Sequence, residues 1–446
     1  MRKNIFVFAH LDVGDPVIAG VLEYDEMSRL GAFRYAKSYL ARGDAIPLSP
    51  HPAFALSSTA VTETANDGLP GPIRDAMPDY WGRLVFAGRN GLPVEKVSNA
   101  DMLLANVAER VGFLDFSPAP EWSKGTSTRA DIPMLEDLEM LVQTADALAN
   151  HQPVENKAAW ALQLLAQGTS MGGARPKSVV QMNGALWLAK FPAKDDHFDV
   201  SAVEHATHRM AACAGITVPD THLLGLPDGR HVFLSKRFDR ANGQRIPMVS
   251  ALTSLGLDES ENAKGSYMSV ANILRQQGDE PGAKELFRRM VFNGFIRNTD
   301  DHLRNHAFLY SRQDKLWSMS PAYDVNPSIS RAGVGEEFDL SINVGLHGRA
   351  ATLENLLSAA SDFGVEARDA ECVVRKIADV ITSWVDYFRE SGVDKRTISL
   401  FADTFDSGLR KFEIEDALPN EEALAAEGNG YADGRERRDV SSTTPP

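Results

Sequence analysis

The apolar positions Leu286, Met290, Val291 and Phe295 recur at helical spacing, and the chain then changes to a short continuous apolar run, Ala307-Phe308-Leu309-Tyr310. The first pattern predicts a helix with one buried face, the second a strand. Between them lies Asn298-Thr299-Asp300-Asp301-His302-Leu303-Arg304-Asn305, which carries acid, amide and imidazole groups. A polar loop held by two buried elements is where catalytic side chains tend to sit.

Upstream, residues 1–10 are positive and then apolar. The apolar run is too short for a secretory signal and lacks a small-residue cleavage site, so it reads as a first strand. Residues 17–22 and 32–35 read as short strands about a charged turn. A helical run and a proline loop at Pro47, Pro50 and Pro52 follow. Residues 73–83 predict a helix kinked or begun at Pro78. A Pro-, Ser- and Thr-rich stretch closes this first α/β unit near residue 133. Residues 134–166 are helical in pattern, with Leu138, Met140, Leu141, Leu148, Leu162, Leu164 and Leu165. A glycine-rich stretch, residues 168–178, leads into a predicted hairpin: strand 179–182, the turn Asn183-Gly184 and return strand 185–191. A helix over 201–214, with Gly215 as its stop, precedes a strand over 231–235. Beyond about residue 256 helices dominate, over 271–277, 283–297, 352–360 and 369–391, apart from two strands flanking 311–315. The expected organisation is an N-terminal subdomain 1–133, an upper lobe 134–250, a mainly helical lobe 251–426 and a disordered polar tail 427–446.

Composition narrows the class. At 446 residues the chain is too long for one small core, and 43% apolar with 24% charged residues is ordinary for a soluble protein. A formal net charge of −15 argues against binding nucleic acid through the whole surface, since phosphate contacts need Lys and Arg. It suits a basic partner. The two cysteines, Cys213 and Cys372, read as reduced, buried thiols. No stretch approaches the length of a membrane span, and the expected location is the cytoplasm.

The chemistry gathers at three places. Asp300 and Asn305 are five apart, and Asp324 follows in Pro321-Ala322-Tyr323-Asp324. Phosphoryl transfer uses an Asp to orient the attacking hydroxyl, an Asn on the same loop for a metal ion, and a further Asp for metal bridging the phosphates. The same loop also reads as a capped, solvated helix–strand connection. The stretch Gly168-Thr169-Ser170-Met171-Gly172-Gly173-Ala174-Arg175-Pro176-Lys177-Ser178 either cradles phosphate with its backbone N–H groups or is a plain glycine turn. It is not a Walker loop, because Pro176 stands where Gly is required. Lys190 sits near the end of the return strand of the hairpin, where a kinase upper lobe places its phosphate lysine. Glu204, assigned to the first turn of the next helix, either pairs with Lys190 or serves the helix dipole. Arg237 and Asp239 fit either a hinge segment or a surface ion pair.

Taken together in this order, the motifs resemble the HipA family of bacterial toxin kinases, over most of the chain. The segments that carry the resemblance are Ser170 to Lys177, Leu188 to Pro192, Arg237 to Arg240, Phe292 to Asn305, Pro321 to Asp324, and Arg74 to Arg83. The resemblance implies an α+β, two-lobed protein-kinase-like fold with an N-terminal α/β subdomain, and an ATP- and Mg²⁺-dependent serine/threonine kinase. By motif position it makes Asp300 the catalytic base, Asn305 and Asp324 the Mg²⁺ ligands, and Lys190 the phosphate lysine. It places Ser170, Gly172, Gly173 and Lys177 in an ATP-binding loop, with Ser170 the autophosphorylated serine. Lys236 and Phe238 fall at the adenine hinge and His302 in the ATP site. Lys236 departs from members that have an acid there. The partners implied are a protein substrate, the best-known being aminoacyl-tRNA synthetases whose phosphorylation slows translation, and a small helix-turn-helix antitoxin. DNA would be met only through that antitoxin. Two rivals remain: a small-molecule phosphotransferase, and a catalytically silent co-repressor, against which the intact Lys190, Asp300, Asn305 and Asp324 argue.

Overall fold

The computed structural model of the chain describes residues 2–12, 14–105, 107, 109–122, 132–150, 152, 159–166, 175–330 and 337–411. Ser170, Gly172 and Gly173 lie outside the described residues, as does the polar tail 427–446. Among the described residues no helix is long and apolar enough to cross a membrane.

Alternating apolar residues build the N-terminal sheet. Strands β1 (Arg2–Ala9), β2 (Val17–Asp25), β3 (Leu30–Tyr35), β4 (Val61–Glu63) and β5 (Leu114–Ser117) are antiparallel neighbours in the order β4-β3-β2-β1-β5. Ile5, Val7 and Ala9 are buried at every second position of β1, which sets the register against one face. The helix expected over 73–83 is two helices, Gly71–Asp75 and Tyr80–Asn90. Pro78 stands between them, and Asp79 caps the second by accepting from the Gly82 N–H at 3.2 Å.

The second sheet forms the upper lobe: β6 (Lys177–Met182), β7 (Ala185–Lys190), β8 (Thr221–Gly225) and β9 (His231–Lys236), ordered β6-β7-β9-β8. The β6–β7 turn has φ of 50° at Asn183 and 75° at Gly184. Two positive values in succession are what a two-residue hairpin of the strand-matching twist requires. Strand β8 was not expected from the pattern; its residues are only partly buried, so no clean alternation marks it. Strand periodicity divides the side chains of β7 and β9. Trp187, Ala189, Val232 and Leu234 pack with the Tyr80–Asn90, Leu138–Ala149 and Ala159–Ala166 helices, while Leu188, Lys190, Phe233 and Ser235 face a cleft. The Val200–Cys213 helix follows, capped by Asp199. Glu204 therefore lies in its second turn, not its first.

The rest is mainly helical, around a three-stranded sheet of β12 (Met248–Ser250), β13 (Ala307–Ser311) and β14 (Leu316–Met319), with a short ribbon of β10 (Arg240–Ala241) and β11 (Gln244–Arg245) before it. The helices Tyr267–Gln276 and Glu280–Phe295 precede the polar loop. The helix expected over 369–391 is broken at Ser383 into Ala367–Thr382 and Trp384–Glu390, and a further helix, Lys395–Lys411, was not expected. That last helix is anchored by Phe401 and Phe405 against Trp384 and Phe388, with the Trp384 and Phe405 rings stacked 4.6 Å apart. One apolar cluster runs from Ile5, Val7 and Phe33 of the N-terminal sheet into Phe287, Met290 and Phe295 of the helical lobe. Cys213 and Cys372 are free and exposed. The expectation of buried thiols fails because both fall on outward faces of amphipathic helices whose buried stripes run through Ala206, Met210, Val374 and Ile377.

Candidate active site

The helix Glu280–Phe295 delivers the polar loop into a cleft of about 560 Å³ between the upper lobe and the helical lobe. Arg297, at φ 54°, turns the chain out of the helix. Asn298 then ties back, its side-chain amide donating to Asn293 Oδ1 at 3.1 Å. The two adjacent acids part ways here. Asp301 is buried and accepts from the Tyr267 hydroxyl and, at 2.9 Å, from His306 Nε2. Asp300 is exposed and lines the cleft. Asn305 folds the loop on itself by donating from Nδ2 to the Asp300 carbonyl at 3.2 Å.

Across the cleft, Lys190 Nζ lies 2.6 Å from Glu204 Oε1 and 2.7 Å from Asp324 Oδ1. One ammonium thus joins the upper-lobe sheet, the Val200–Cys213 helix and the helical lobe. Asp324 holds φ at 57°, a left-handed conformation that Asp tolerates better than most residues and that concentrates at functional sites. Asn326 donates to the same Asp324 oxygen at 3.2 Å. The electrostatics follow from these contacts. The Lys190 ammonium, outweighing the penalty of burial, holds the Asp324 carboxyl down to about 2. Burial works against charge on Lys190, yet Asp324 and Glu204 together raise its pKa. Burial raises Glu204. Although its side chain reaches solvent, partial desolvation by the cleft walls raises Asp300, against the pull of His302, and the charges of Asp324 and Asp301 add to it. Such an elevation is what a general base needs to operate nearer neutral pH.

Asp300, His302, Asn305, Asp324, Lys190 and Lys177 all line this one cleft. Lys236 does not: its side chain is exposed and pairs with Asp220 at 2.9 Å on the surface, because strand alternation gives the cleft face to Ser235. Phe238 packs against Tyr323, ring centroids 5.7 Å apart, and Tyr323 lines the cleft. Arg237 and Asp239 are not a surface pair; both are buried, 2.7 Å apart. Several cleft residues are not marked in the sequence. Asp75 and Val111 come from the N-terminal subdomain, and His208 lies one helical turn beyond Glu204. The i, i+4 spacing of Glu204 and His208 was available as a signal; Asp75 lay in the resembling segment Arg74 to Arg83 without a role, and nothing marked Val111. Burial pushes the His208 imidazole down to about 3.

Among the described residues no group of three or more His, Cys, Asp and Glu is placed to hold a metal ion. The Asp324 carboxylate and the Asn305 side-chain amide nonetheless both line the cleft, and both can offer oxygen donors. Mg²⁺ fits such a set, since it takes few protein oxygens and completes its shell with phosphate and water.

Residues 169–385 match the family described as HipA-like C-terminal domain. Two curated proteins share part of the sequence. "Putative kinase Y4dM" of Sinorhizobium fredii is 28% identical over 158 residues, 33% of this chain and 38% of that protein. A like-named protein of Haemophilus influenzae is 26% identical over 184 residues, 35% of this chain and 52% of that one. The chain thus spans about two fifths to one half of the length of these relatives. Among solved structures, a chain of the Shewanella oneidensis MR-1 toxin–antitoxin complex of HipA, HipB and operator DNA superposes with a TM-score of 0.61. It is 16% identical, and the match covers 93% of this chain and 100% of that one. At that identity the likeness concerns the fold: α+β, two-lobed, with a β-rich N-terminal subdomain and a mainly helical C-terminal lobe.

Proposed function

We propose, from the match of residues 169–385 to the HipA-like C-terminal domain, that this chain is an ATP- and Mg²⁺-dependent serine/threonine protein kinase of the HipA toxin type. The observation that carries the reading is the Lys190–Glu204–Asp324 bridge facing Asp300 and Asn305 across one cleft. Lys190 holds the nucleotide phosphates with its ammonium. Asp300 orients the acceptor hydroxyl and takes its proton. Asp324 and Asn305 would hold Mg²⁺, which supplies charge neutralisation on the transferred phosphoryl group. By the same family reading the acceptor is a serine or threonine of a protein, an aminoacyl-tRNA synthetase being the first to test, with slowed translation as the result. A small helix-turn-helix antitoxin is the regulatory partner, and DNA is reached through it alone. The cytoplasm is the place of action.

Two experiments probe the parts. Asp324→Ala and Asn305→Ala each weaken Mg²⁺-dependent ATP binding, measured by calorimetry with and without Mg²⁺. Unchanged Mg²⁺ dependence in both variants removes these residues from the metal site. The second concerns Ser170, in the glycine stretch beside Lys177. A phosphate there adds about −1.5 to −2 charges, which repel the phosphates of bound nucleotide. Intact mass after incubation with Mg²⁺ and ATP gains one phosphate, which fragment masses place on Ser170. Ser170→Asp loses ATP affinity and Ser170→Ala keeps it. A phosphate found only on Thr169 or Ser178, or a Ser170→Asp variant that binds ATP like the parent, contradicts the assignment.

A further inference from the structure

The hairpin register sets Lys177 directly opposite Lys190 on neighbouring strands, and both line the cleft. Like charges directly opposite across a strand pair repel, and burial makes the repulsion larger. Lys190 is compensated by Glu204 and Asp324. The carboxylate beside Lys177 comes from elsewhere in the chain. Asp79, of the N-terminal subdomain, places Oδ2 3.6 Å from the Lys177 ammonium, and both side chains are buried. The same helix start fixes the backbone, since Trp81 Nε1, fully buried, donates to the Lys177 carbonyl at 2.8 Å.

We propose that Asp79 is a positioning residue for the nucleotide site: its carboxylate keeps Lys177 charged and directed into the cleft beside Lys190, so that the N-terminal subdomain completes the polyphosphate-binding site. This rests on the kinase reading. The geometry suits the role. At 3.6 Å the pair attracts without a short hydrogen bond. Asp79 Oδ2 is buried without a hydrogen-bond partner, whereas Oδ1 is used on the Gly82 N–H. The two oxygens of one carboxylate therefore do two jobs, one capping a helix and the other facing the lysine. Burial lowers Lys177, Asp79 counters it and Lys190 adds to it.

The two jobs can be separated. Asn caps a helix as well as Asp does, so Asp79→Asn keeps the cap and removes the charge. Calorimetric titration of the full chain with Mg²⁺ and ATP should show Asp79→Asn weakening binding by about tenfold or more, with Asp79→Glu recovering part of the loss. Lys177→Met should weaken binding similarly, and the double variant should be no worse than either single one. That double variant also covers the case in which Asp79→Asn folds poorly, because it leaves neither charge buried alone. Asp79→Asn binding as tightly as the parent, or losses that add in the double variant, overturn the proposal while the kinase reading stands. A parent that binds no Mg²⁺–ATP overturns both.

Discussion

Asp300→Asn should lower phosphoryl transfer by about 10²- to 10⁴-fold, the range for loss of a general base, and leave the thermal midpoint where it was. The substitution keeps the side-chain shape. Asp300 is exposed in the cleft, so its removal takes away a proton acceptor and no packing. Its neighbour behaves in the opposite way. Asp301 is buried between Tyr267 and His306, and Asp301→Asn should cost about 1–3 kcal/mol of stability through a mismatched buried donor. Any loss of activity there follows the loss of fold. Assays of transfer and thermal unfolding on both variants separate the two roles. If Asp301→Asn is catalytically dead at full stability while Asp300→Asn is active, the base is misassigned. A pH profile adds an independent check. A base must be ionised, and the Asp300 pKa is raised by partial desolvation in the cleft and by the charges of Asp324 and Asp301. The acid limb of the rate profile should therefore lie above the ordinary Asp range.

The largest expected stability effect lies away from the cleft. Asp239→Asn should destabilise the protein by about 3–5 kcal/mol, the usual result of breaking a buried ion pair. Asp239 accepts from Arg237 at 2.7 Å, Arg240 at 2.8 Å and the Gly112 N–H at 2.9 Å. Arg237 in turn donates to the carbonyls of Glu109 and Arg110 at 3.0 and 3.1 Å. This network clasps the N-terminal subdomain to the strand end where the upper lobe leaves. Gly112, at φ 66°, lets the loop approach the Met248 backbone, which a Cβ would meet at 3.1 Å. The pH dependence follows from the sign of the shift. Burial opposes the charge on Asp239, but Arg237 and Arg240 outweigh it and hold the folded-state pKa well below the usual carboxylate range. The contribution is thus present above the unfolded value of about 3.9 and is lost as pH falls below it. Thermal unfolding of the parent and Asp239→Asn should differ most near neutrality and converge in acid. Equal midpoints at pH 7 contradict this account.

What the sequence disclosed and what it hid divides along contact range. The hairpin was legible because Asn183-Gly184 demands two positive φ values, whereas alternation along the return strand marks the face of Lys190 only weakly. The helix into the polar loop was legible from Leu286, Met290 and Phe295. The choice between Asp300 and Asp301 was carried by motif spacing alone; what separates them physically is Tyr267, 34 residues away. The Lys190–Asp324 contact spans 134 residues, and no local pattern encodes it. Strand parity places Lys236 opposite to the cleft-facing Ser235, an inference that required knowing which face the cleft occupied. The hidden role of the N-terminal subdomain has the same cause. Asp79 reads locally as a helix cap, and its second oxygen has meaning only beside Lys177. The left-handed backbone at Asp324 was hidden too, since Asp adopts it without any neighbouring signal.

The central claim is that the Lys190, Asp300, Asn305 and Asp324 cleft transfers the γ-phosphate of ATP to a protein hydroxyl. Incubating the full chain with Mg²⁺, γ-labelled ATP and a bacterial lysate, beside Asp300→Asn, tests it most directly. The account predicts label on serine or threonine of a discrete protein band with the parent and none with Asp300→Asn. Label appearing only in a small molecule, or equal protein labelling by both, would contradict it.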